Sequence, residues 1–129
     1  MLVEGSVELI RRLIDRFPQL DEMYSSHLFN ERGQVLPHIF FADLTEEIID
    51  SYTGNSEDMH VGTGGRALDW RSMVQFLDEQ YRIGGREART VTVTSFLLHL
   101  PWPNQQGYGI VESLGPVLAE KFVEVRPAG

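Results

Sequence analysis

The sequence predicts an all-α fold, a compact two-layer α-α array of five or six helices in a single domain of 129 residues. Three observations point there. Apolar residues recur at helical spacing in segment after segment. Pro and Gly fall between those segments, where helices stop. Strand-like alternation is confined to one short stretch, residues 90–94. At this length, with 42% apolar residues, the chain can bury a core of its own.

The elements follow in order. Ser6 is placed to cap a first helix in which Val7, Ile10, Leu13, Ile14 and Phe17 form one stripe, and Pro18 ends it. A shorter helix is expected over 21–29, before the turn signal Asn30-Glu31-Arg32-Gly33. Pro37 suits the first turn of a third helix reaching 52, with Phe41, Leu44, Ile48 and Tyr52 on one side and acidic residues on the other. From 53 to about 66 the chain is rich in Gly, Ser, Asn and Asp without periodicity, which predicts a mobile loop.

A helical hairpin is predicted next. Residues 68–83 place Trp70, Met73, Val74, Leu77 and Tyr81 at helical spacing, and Gly84-Gly85 closes them. The following stretch carries two conflicting signals. Thr90-Val91-Thr92-Val93-Thr94 alternates polar with apolar like a half-buried strand. Yet Val93, Phe96, Leu97 and Leu100 form an i, i+3, i+4, i+7 face, Glu87 lies in the first turn and Pro101 supplies a stop, so helix is the favoured reading for 86–100. A last helix is expected over 109–122, kinked or divided at Gly115-Pro116. Leu13, Phe41, Leu44, Ile48, Leu77, Phe96, Leu97 and Leu114 are the expected core.

Charge is distributed unevenly. The net charge is −8; residues 1–65 carry twelve acids and four bases, whereas 66–129 carry seven of each. Asp43, Glu46, Glu47 and Asp50 occupy i, i+3, i+4, i+7 positions on one helix face, and Glu57 and Asp58 follow with no base between 33 and 65. Like charges at that spacing weaken an isolated helix, so they serve solubility or meet a positive partner. The acidic balance argues against nucleic-acid binding, which uses clustered Lys and Arg; only Arg82, Arg86 and Arg89 cluster. No run approaches the length of a membrane span, the first residues do not read as a signal peptide, and cysteine is absent. A cytoplasmic protein without disulfides or a thiolate site is expected.

The segment DWRSMVQFLDEQYRIGGREARTVTVTSFLLHLP resembles a HEAT-like helical pair: a bulky first helix, a tight Gly turn, then a second helix that starts with Arg and an acid and ends Leu-rich before Pro. Together with LPHIFFADLTEEIIDSY and SLGPVLAEKF, it makes residues 6–122 similar to a group of small bacterial all-helical proteins of unknown function, some of them regarded as toxin-immunity proteins. The resemblance implies a helical fold and protein binding. It carries over no catalytic motif and no site residue.

Motifs for chemistry are sparse. His27, His38, His60 and His99 show no HExxH spacing, and the acidic row lacks the Glu-x-x-His pattern of bundle metal sites. Gly62-Thr63-Gly64-Gly65 lacks the Lys-Ser/Thr of a phosphate loop, and Ser95 and Ser113 lack the Gly-x-Ser-x-Gly elbow. No catalytic residue, cofactor or metal is therefore expected. Trp102 and Tyr108 flank a Pro-rich turn and suit an interface anchor, or simply cover the end of the helical layer. The expected function is a non-catalytic binding module, of immunity or inhibitor type, that meets a basic protein through Asp43, Glu46, Glu47, Asp50, Glu57, Asp58, Trp102 and Tyr108. A homodimeric scaffold is the alternative, and a metal- or small-ligand-binding protein a third.

Overall fold

The computed structural model describes residues 4–54, 69–127 and 129. Six α-helices run α1 (Glu4–Arg16), α2 (Asp21–Asn30), α3 (Pro37–Thr53), α4 (Trp70–Ile83), α5 (Arg86–Ser95) and α6 (Pro116–Val125). Single 3-10 turns occupy Pro18–Leu20 and Leu97–His99, and a longer one Tyr108–Ser113. No strand occurs among the described residues, so the all-α array holds. Of the expected loop at 53–66, only Thr53 and Gly54, which close α3, fall within the described residues.

The ambiguous segment is the centre of the molecule. Helix α5 packs against α1, α3 and α4, and its Ala88, Val91, Thr92 and Ser95 are buried. β-branched residues enter a helix at modest cost, and here the hydroxyls settle locally. Thr92 Oγ1 donates to the Ala88 carbonyl at 2.8 Å, and Thr94 Oγ1 to that of Thr90 at 2.9 Å. The alternation of a lone strand finds no partner edge here, whereas the helix buries Val91 completely. Small residues also let neighbours come close. A Cβ on Gly5 of α1 would lie 3.0 Å from the Glu87 Cβ, and Ser6 Oγ donates to the Glu87 carbonyl at 3.1 Å.

That contact corrects the reading of Ser6. It lies inside α1 and ties α1 to α5 rather than capping the helix. Across the other side of α5, the buried Thr45 of α3 donates to the carbonyls of Phe41 (2.7 Å) and Ser95 (2.8 Å). Phe40 is fully buried beside the expected Phe41, Leu44 and Ile48, edge-on to Tyr24 and to His27. His27 is itself buried, and its Nε2 accepts the Leu36 N–H at 3.0 Å, which pins the approach to α3.

Two expected helices are shorter than their patterns. Helix α5 stops at Ser95, and Leu97 reaches the core from the 3-10 turn that follows. The pattern over 109–122 is divided at Gly115, as the Gly-Pro pair anticipated. The junction depends on a residue forty positions away: Asp78 Oδ1 of α4 accepts the Leu118 N–H at 2.7 Å and so caps α6 across the interface. Gly115 makes room, since a Cβ there would fall 2.3 Å from the Asp78 carboxyl carbon. Leu114, expected in the core, sits on the linker at this junction and is only partly buried.

Two stability predictions follow from these contacts. Leu97→Ala should lower unfolding free energy by about 2–5 kcal/mol through lost burial plus a cavity. Asp78→Ala should cost about 1 kcal/mol by leaving α6 uncapped. Chemical denaturation reads both, and an unchanged midpoint for either variant contradicts the packing described.

Candidate functional site

Helix α3 carries the acidic row, and its faces are less cleanly divided than the pattern implies. Asp43 and Glu46 are exposed, whereas Glu47 and Asp50 are partly buried. No Lys or Arg lies within 4.0 Å of any of them among the described residues; the ion pairs found there join Glu8 to Arg11 and Arg12, and Lys121 to Glu124. Glu47 stands out. Its Oε1 is covered yet has no hydrogen-bond donor. Burial, followed by the neighbouring charges of Asp50, Glu46 and Asp43, pushes its pKa above the ordinary 4.5. Glu57 and Asp58 lie outside the described residues.

Trp102 and Tyr108 sit on the turn between α5 and α6. A Cβ on Gly107 would lie 3.1 Å from Ile49 and 3.3 Å from Thr53, so this turn packs against the C-terminal end of α3, beside Asp50. Asp43 lies seven residues earlier, about 10 Å along the helix axis. Tyr108 is half-buried against the core, and Trp102 is 45% exposed. The outer end of the acidic row and the aromatic turn are therefore separate features that meet only near Asp50.

The exposed indole covers something the sequence did not single out. The Arg126 guanidinium lies 3.9 Å from the Trp102 ring centroid and 4.8 Å from that of Phe122. Arg126 is 3% exposed. Its Nη1 donates to the carbonyls of Leu97 (3.0 Å) and Leu100 (2.7 Å), and its Nη2 to that of Pro101 (2.9 Å). Nε is covered without a partner. Burial lowers the guanidinium pKa, and nearby Tyr108 opposes the shift. Trp102 is thus largely committed to the fold. The only hint in the sequence was a lone Arg after an apolar helix face.

A second unanticipated cluster joins α3 to α5. His38 Nδ1 is 2.9 Å from Ser95 Oγ and 3.0 Å from Thr94 Oγ1. A Ser–His pair is the core of many hydrolases, but Ser95 is 3% exposed and Thr94 competes for the same nitrogen. The arrangement fits a helix clasp better than a nucleophile. No group of three or more His, Asp or Glu among the described residues is placed to hold a metal ion, and no described helix is long and apolar enough to cross a membrane.

Comparison with protein-family models, with curated proteins and with solved structures returns no match.

The covered Glu47 gives a pH prediction. Its folded-state pKa is raised, so the native state binds the proton more tightly than the unfolded chain, and stability falls as pH climbs from 4.5 through the raised value. Glu47→Gln should be more stable than the parent at neutral pH, with the gain vanishing below pH 4.5. Denaturation midpoints measured across that range check it, and a gain that persists in acid contradicts the assignment.

Proposed function

We propose that this protein is a non-catalytic binding module that meets a basic protein surface through the exposed acids of α3. The observation that carries the reading is the row of four carboxylates without a Lys or Arg within 4.0 Å among the described residues, two of them, Asp43 and Glu46, exposed. Uncompensated like charge costs stability, and Glu47 already bears some of that cost. A partner bringing Arg or Lys to the exposed Asp43 and Glu46 would relieve the repulsion. The inhibitor or immunity role rests on the resemblance of residues 6–122 to small bacterial helical proteins. A cysteine-free chain suits a reducing cytoplasm.

The test uses the two exposed members, because reversing the half-buried Glu47 would confound folding with binding. Asp43→Lys combined with Glu46→Lys should leave the denaturation midpoint nearly unchanged. On a partner recovered from source lysate, it should slow association, and the difference should shrink as added salt shortens the Debye length below about 8 Å. Equal association rates for parent and variant at low salt would remove the recognition role and leave the acids as a solubility feature.

A further inference from the structure

Despite the −8 net charge, one groove is lined by cations. It lies where the end of α4, the outer side of α5 and α6 converge, has a volume of about 460 Å³, and is bordered by Arg86, Arg89 and Lys121 with Tyr81, Val93 and Val125 among its walls. That is within the size range of small-molecule sites.

The three cations are held differently. Arg89 is fixed: Nε donates to the Tyr81 carbonyl at 2.9 Å, Nη2 to that of Arg82 at 3.0 Å, and the guanidinium lies 5.3 Å from the Tyr81 ring centroid. Lys121 is paired with Glu124 at 3.0 Å, and that hydrogen bond is the main reason its pKa is raised, while the Arg89 charge acts in the opposite direction. The two cations therefore feel each other across the groove. Arg86 is exposed and has no hydrogen-bond or ion-pair partner among the described residues. Thr90 adds a hydroxyl on the same wall.

We propose that this groove binds a small phosphomonoester that carries an apolar body. Two guanidinium groups, with Lys121 nearby, match a compact dianion, and a guanidinium fork matches phosphate oxygens. Val93, Val125 and the Tyr81 ring offer an apolar wall for the ester group. Glu120 and Glu124 line the adjoining hollow with Lys121, so the Arg86 and Arg89 end is where the phosphate belongs. A polyanion such as nucleic acid would extend into the negative field of the rest of the chain, so the ligand is small. The site is independent of the acidic α3 face, and failure of either proposal leaves the other standing.

The probes are phenyl phosphate, inorganic phosphate and phenol, titrated into the intact chain and followed by amide chemical shifts. Phenyl phosphate should give saturable shifts confined to residues 81–94 and 121–125, inorganic phosphate weaker ones, and phenol none. Arg86→Gln touches no described contact, so the denaturation midpoint should hold while phenyl phosphate affinity drops about tenfold or more. Lys121→Gln should weaken binding in the same direction. A short phosphotyrosine peptide distinguishes the source: affinity equal to phenyl phosphate supports the site with a free small molecule as its ligand, and tighter binding supports it with a protein-borne phosphate. Absence of saturable binding, shifts that lie elsewhere, or affinity unchanged by Arg86→Gln would overturn the proposal.

Discussion

The structure depends on a central helix made of small and β-branched residues. Helix α5 is contacted by three other helices, so the side that carries Ala88, Val91, Thr92 and Ser95 must be both narrow and free of unsatisfied polar atoms. Threonine meets both conditions, because its hydroxyl bonds back to the carbonyl one turn earlier and leaves a methyl to pack. Thr92 does this on α5 itself, and Thr45 reaches across from α3 to the last carbonyl of α5. Ser6 completes the set from α1. Leucines in those positions would satisfy the hydrophobic effect but hold the neighbouring backbones apart.

The C-terminal third is tied on by charge rather than by apolar area alone. Asp78 caps α6 from α4, and Arg126 gathers three carbonyls that the chain exposes as it leaves the Leu97–His99 turn. The Leu100 and Pro101 carbonyls lie beyond that turn, and a guanidinium supplies several donors from one rigid plane. No carboxylate is seen beside Arg126 among the described residues; the faces of Trp102 and Phe122 take that place. A tryptophan half open to solvent is thereby explained as the cover of a buried cation.

The surface divides into two electrostatic regions. Acids concentrate on α3, and the three cations of the groove concentrate at the junction of α4, α5 and α6. Arg86 and Arg89 lie on α5 and Lys121 on α6, and no ion pair joins them to the acids of α3 among the described residues. The His38 clasp, by contrast, uses its polar groups internally.

Much of the fold was legible before any coordinates. Stripes such as Ile10, Leu13 and Phe17 or Phe41, Leu44 and Ile48 lie on one side of a helix by geometry alone, and all six residues are buried. Pro37 and the Gly115-Pro116 pair mark helix starts for reasons intrinsic to proline. The conflict at 90–94 was visible too, but its resolution required knowing that α5 would pack against three other helices on the side of Val91 and Thr92. Local propensity there is nearly balanced, so burial decides. The acidic row was evident as a pattern, whereas the tilt that sinks Glu47 and lifts Glu46 follows from how α3 seats on its neighbours. Contacts between distant residues were not specified by any sequence pattern: Asp78 with Leu118, His38 with Ser95, and Arg126 with the Leu97, Leu100 and Pro101 carbonyls. Periodicity is a property of one segment and is written in the order of its residues; caps, clasps and grooves are properties of pairs of segments, and only the packing of the whole chain brings them together.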